Sequence, residues 1–149
     1  MIWLEKRIRL PALLAGVAAD WVATAVLITF LGLAFGISAE TPEPQIEELA
    51  QSGEFLVLGA LVGIACTALG GFVAGRVARQ DEILHAGFVG LLSLILGALV
   101  ELLSRSAGGS GVPVWYQVFS YLAVVPAALA GGFLSSRRQP RTESDGSTG

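Results

Sequence analysis

Asp20 is the residue in this sequence best placed to do chemistry, because it is the one acid lying well inside a long apolar stretch. Trp21 follows it directly, and Thr24 comes one helical turn later. A carboxyl at mid-depth in hydrocarbon costs ~2.5–3.5 kcal/mol on insertion scales, so it should turn inward and find a partner or a proton. Two chemistries fit. One is a proton- or cation-responsive site; the other is a carboxyl that hydrogen-bonds a neighbouring helix through Thr24, Thr67 or a backbone carbonyl. A water-filled cavity reaching the carboxyl favours the first, and a dry contact with Thr67 or a backbone oxygen favours the second.

Other constellations are missing from the sequence. It has no Gly-x-Ser-x-Gly elbow, no P-loop, no His-Glu-x-x-His, and no second intramembrane carboxylate to pair with Asp20. The lone Cys66 and the lone His85 rule out motifs that need two thiols or two imidazoles. The expectation is a non-enzymatic chain with no catalytic residue, metal or cofactor.

Four apolar stretches must position Asp20, over approximately 10–35, 55–77, 83–103 and 114–134. Each is near or above the ~20 residues with which a helix crosses ~30 Å of hydrocarbon. The chain is 54% hydrophobic and 14% charged, with mean hydropathy +0.71, against about a quarter charged in soluble domains. The expected fold class is therefore all-α: a polytopic membrane protein with four transmembrane helices, its domain covering 1–136. A polar tail, 137–149, should be disordered and cytoplasmic. The first stretch exceeds the ~7–15 apolar residues of a signal peptide, so it reads as a permanent span anchored by Met1–Arg9.

Charge sets the orientation. Lys6, Arg7 and Arg9 precede the first span, Arg76 and Arg79 lie between the second and third, and Arg137, Arg138 and Arg141 follow the fourth. Only Arg105 falls on the other side. The positive-inside rule then puts both termini in the cytoplasm, with the chain in the plasma membrane. The first external loop carries Glu40, Glu43, Glu47 and Glu48, and Pro44–Ala50 can form a short helix with an apolar face of Ile46, Leu49 and Ala50. Ser104–Val112 reads as a flexible Gly/Ser-rich loop.

Small residues form the strongest pattern. Gly59, Gly63, Thr67, Gly71 and Gly75 recur every four residues, while the fourth span offers Ala128, Gly131 and Gly132 with Val124 interrupting one row. In lipid such faces let helix backbones approach closely and supply the packing energy. Gly59, Gly63, Gly71, Gly75, Gly131 and Gly132 are accordingly the expected packing residues, within one bundle or across a homo-oligomer. Leucine at Gly63 or Gly132 should disrupt folding. The same stretches carry a repeat: Ala68–Arg76 and Leu129–Arg137 both place Gly-Gly-Phe four residues before Arg. Two parallel helical hairpins are expected from it. Pro126 stands near the middle of the fourth span and frees a carbonyl there.

The stretch Gly70-Gly71-Phe72-Val73-Ala74-Gly75-Arg76, followed by Ile83-Leu84-His85-Ala86-Gly87, resembles small four-helix bacterial membrane proteins of unknown function. The resemblance covers the middle third of the chain, with Ala86 where that pattern has Gly. It implies four spans and no activity. His85, among Arg76, Arg79, Asp81 and Glu82, reads as part of an interfacial polar turn. Beyond the lipid bilayer, the expected partners are a second copy or another membrane protein. The few basic groups near helix ends do not suggest nucleic acid. The functional expectation is a structural, accessory or partner-binding membrane protein; the alternative is a small proton- or cation-coupled transporter using Asp20.

Overall fold

A computed structural model describes residues 9–106 and 112–137. The anchor before Arg9, the centre of the Gly/Ser loop and the tail beyond Arg137 lie outside the described residues. The chain is an all-α, four-helix membrane protein. Its elements are α1 (Leu10–Ala34), α2 (Glu43–Ala50), α3 (Gly53–Ala78), α4 (Glu82–Ser106) and α5 (Val114–Arg137). All but α2 are long and apolar enough to cross a membrane.

The ends follow from local chemistry. Pro11 suits the first turn of α1, where its missing N–H costs nothing. The same helix stops at Gly36, which takes φ +86°. The Ile37 N–H reaches back to the Gly32 carbonyl at 2.9 Å and the Gly36 N–H to the Leu33 carbonyl at 3.0 Å, the two bonds of a Schellman ending. Helix α3 starts two residues before its apolar run because Ser52 accepts the Phe55 N–H, 3.4 Å. It ends at Arg79, which turns left-handed with φ 58°. Helix α4 runs to Ser106, past the apolar stretch, and its Glu101 and Arg105 pair at 2.8 Å one turn apart. At the end of α5 the Arg137 guanidinium lies 4.3 Å from the Phe133 ring.

Helix α3 is the hub, packed against α1, α4 and α5, whereas α1 and α5 do not touch among the described residues. Burial is lopsided along the bundle axis. At the end marked by Arg9, Arg79 and Arg137, the basic end, Ala12, Ala74, Ala78, Ala86, Val89 and Ala128 are fully buried or nearly so. On α4 no residue beyond Ser93 is buried, and on α5 none before Ala127. The burial of α4 and α5 is thus concentrated at the basic end, while α1 and α3 stay in contact toward the acidic loop through Phe35 and Phe55.

Glycines draw the tight seams. A methyl on Gly71 would strike the Ala128 carbonyl, and one on Gly131 would strike the Ala68 carbonyl, so α3 and α5 meet backbone to backbone. A methyl on Gly75 would lie 2.9 Å from Ser135, and one on Gly132 would strike Ala86 of α4. Gly59 is looser, 3.4 Å from the Tyr116 hydroxyl by the same measure. Gly63 departs from expectation: nothing lies within 4 Å of where its Cβ would stand. It lines a hollow together with Tyr116, Phe119, Ser120, Ala123 and Val124 of α5. The paired glycines of the repeat also serve different sides. Gly70 faces its hairpin partner α1, but its counterpart Gly131 faces α3, and it is Gly132 that faces α4. The contacts of the two hairpins therefore do not follow a two-fold: α3 packs on α4, and no matching contact joins α1 to α5 among the described residues.

Candidate functional site

Asp20 lies about ten residues along α1, or ~15 Å from its start. It is 4% exposed. Its placement depends on Gly70, whose hypothetical Cβ would come 2.8 Å from the Asp20 Cβ and 2.7 Å from the Gly16 carbonyl oxygen. Only hydrogen fits there, so α1 can lie directly on α3 and bring the carboxyl into the bundle. Gly16 does the same one turn earlier, against Val89 and Ala74.

Both carboxylate oxygens are bonded across helices. Thr67 of α3 donates its hydroxyl to Oδ1 at 3.2 Å, and Ser93 of α4 donates to Oδ2 at 2.6 Å. Thr67 and Ser93 are 5% and 8% exposed, so one carboxyl ties three helices in the interior. Thr67 was expected from the sequence. Thr24 shares the cavity described below but donates no hydrogen bond to the carboxylate. Ser93 was missed. Its signal lay in the row Ala86, Gly90 and Ser93, small residues at helical spacing on one face of α4.

On the side away from the basic end, Asp20 borders a cavity of about 360 Å³. Thr67 and Ser93 complete its floor, Thr24 and Gly63 lie above, and Trp21, Ile28 and Val124 form much of the apolar wall. The volume falls within the ~300–1,000 Å³ of small-molecule sites. A second hollow of about 230 Å³ between α4 and α5 shares Ser93 and Val124 with it and extends to Glu101 and Gln117. There Glu101 accepts from Gln117 Nε2 at 2.6 Å and from Arg105 Nε at 2.8 Å, closing α4 on α5 near the acidic end. Toward the basic end Leu13, Ala74 and Val89 pack together, with Val17 and Phe88 against them. The carboxyl therefore lies between a hollow on one side and a packed apolar cluster on the other.

A second polar contact secures the basic end. His85 is 1% exposed; its Nε2 accepts the Arg9 backbone N–H and its Nδ1 donates to the Asp81 carbonyl, both at 3.0 Å. The imidazole thus satisfies one of the free N–H groups at the start of α1. It belongs to the polar turn through the Asp81 carbonyl, as expected, but is buried and also links the start of α1 to α4. Near it, Ser135 Oγ and Glu82 Oε2 are buried without a hydrogen-bond partner. Among the described residues no group of three or more His, Cys, Asp or Glu side chains could hold a metal.

No protein-family model, curated protein or solved structure matches the chain.

Proposed function

We propose that the chain is a small proton- or cation-coupled carrier of the plasma membrane, with Asp20 as its binding carboxyl and both termini in the cytoplasm. The observation that carries this reading is a buried carboxylate at the floor of a cavity open to one side of the bundle. The orientation rests on the basic residues at one end. In that orientation the cavity lies on the outward side of Asp20 and the glycine-packed seam on its cytoplasmic side.

A second reading is supported by the two hydroxyl bonds: Asp20 as an architectural clamp in a structural or partner-binding bundle. Magnitudes favour the first. Interhelical hydrogen bonds in membranes average ~0.6 kcal/mol and reach ~1.7. Two average bonds return about 1.2 kcal/mol against an insertion cost of ~2.5–3.5. A residue kept only to clamp helices would be a net expense that an apolar side chain avoids.

The test is proton flux in vesicles reconstituted with the purified protein and loaded with a pH-reporting dye. Under an imposed gradient the native chain should dissipate pH faster than Asp20→Asn, with both variants melting alike. Equal rates for the native chain, the variant and protein-free vesicles would remove the carrier reading and leave the clamp.

A further inference from the structure

The chemistry of the cavity floor narrows what it can bind. Thr67 and Ser93 each have one hydroxyl proton, and both protons are committed to Asp20. The carboxylate has none to offer when it accepts both. The floor therefore presents only acceptor lone pairs: those left on two carboxylate oxygens and two hydroxyl oxygens. An anion or a neutral acceptor finds nothing there to bond. The donors that do border the cavity, the Thr24 hydroxyl and the Trp21 indole N–H, belong to its wall.

We infer that the Asp20 cavity takes a protonated organic amine whose N–H groups donate to Asp20, Thr67 and Ser93 while an apolar body lies along Trp21, Ile28 and Val124. This rests on the reading of Asp20 as a binding carboxyl and names the ligand class. Hard metal cations fit less well, because they want about six or more oxygen ligands and the wall beyond the floor is mostly apolar. A lipid headgroup amine is excluded by depth, since Asp20 sits ~15 Å along a span that starts at the interface. A quaternary ammonium has charge but no N–H, so it would leave the floor's acceptors unpaired in a desolvated site.

Equilibrium dialysis of the full chain in lipid nanodiscs tests this with three probes of one shape: 2-phenylethylamine, its N,N,N-trimethyl analogue and 2-phenylethanol. At pH 7 the amine is protonated and should bind at least tenfold tighter than either analogue. Asp20→Asn should bring its affinity down to that of the alcohol, and Ser93→Ala should weaken it by a smaller factor. Equal or tighter binding of the trimethyl analogue would overturn the hydrogen-bond argument. Undetectable amine binding would overturn the ligand class, and if Asp20-dependent proton flux persists alongside it, the carrier reading stands without this inference.

Discussion

Gly63 and Gly131 occupy comparable spans, yet an added methyl should have opposite effects at the two positions. At Gly131 the new carbon would coincide with the Ala68 carbonyl and lie 2.8 Å from the Phe72 nitrogen. Both obstacles are backbone, so no side chain can swing aside and the α3–α5 seam must part. Overpacking of this kind costs ~1–3 kcal/mol. At Gly63 the methyl meets nothing within 4 Å, and replacing a helical glycine by alanine gains ~0.5–1 kcal/mol. The two variants should therefore differ by about 1.5–4 kcal/mol, roughly ten- to a thousandfold in the unfolding equilibrium. Reversible unfolding in mixed micelles, followed by circular dichroism across a denaturing-detergent titration, measures this directly. Gly131→Ala should unfold at lower denaturant than the native chain and Gly63→Ala at equal or higher. If Gly63→Ala is as damaging as Gly131→Ala, the helices close at the acidic end in solution and the asymmetric bundle is wrong.

Ser93→Ala removes one of the two bonds to Asp20 and should cost about 0.6 kcal/mol, reaching ~1.7 at most, in the same titration; a change below 0.3 kcal/mol, on the order of ordinary additivity error, would mean the 2.6 Å bond carries no weight. His85→Ala exposes the unpaired Arg9 N–H at the start of α1 and opens a cavity; a loss of ~2–4 kcal/mol is expected. Faster amide exchange at the first turn of α1 should accompany it, and unchanged exchange there would argue against the cross-helix cap. Ser135→Ala removes a buried hydroxyl that has no partner, so the variant should be as stable as the native chain or up to ~1–3 kcal/mol more so. Clear destabilisation of that variant would show that the hydroxyl is bonded in the protein.

The spans were legible because length and apolarity settle them, and the true helix ends differ by a few residues where polar capping extends them. Ser52 and the Glu101–Arg105 pair lengthen α3 and α4 beyond their greasy cores. Asp20 and Thr67 were legible for a related reason: a carboxyl in lipid must pair, and few polar groups are available to it. Ser93 was hidden because a lone serine among leucines has many bland uses, and only its contact with α1 selects one. The glycine rows misled at Gly63 because a small-residue face describes one helix, whereas close packing needs two. Facing Gly71, α5 presents Ala128 in direct contact; alongside Gly63 its Phe119, Ser120, Ala123 and Val124 border a hollow and none reaches the Gly63 Cβ position.

That same mismatch fixes where the cavity can be. The row Gly59, Gly63, Thr67, Gly71 and Gly75 runs the length of α3, so α3 by itself would allow contact anywhere. The partners decide: α5 buries residues only from Ala127 onward, directly after Pro126, and α4 only up to Ser93. Where these two limits meet, the last glycine-to-backbone contact on α1 is Gly70 against Asp20. One step further along α1 stands Thr24, already in open space beside Gly63. The carboxyl thus sits at the level where tight packing stops, rigid enough to be held by two hydroxyls and exposed enough to border the hollow. Of α5, only Val124 lines the hollow. Opening the other side would require separating backbone contacts at Gly71 and Gly131. Pro126 stands at that same level of α5, where the helix lacks an N–H to bond the Leu122 carbonyl.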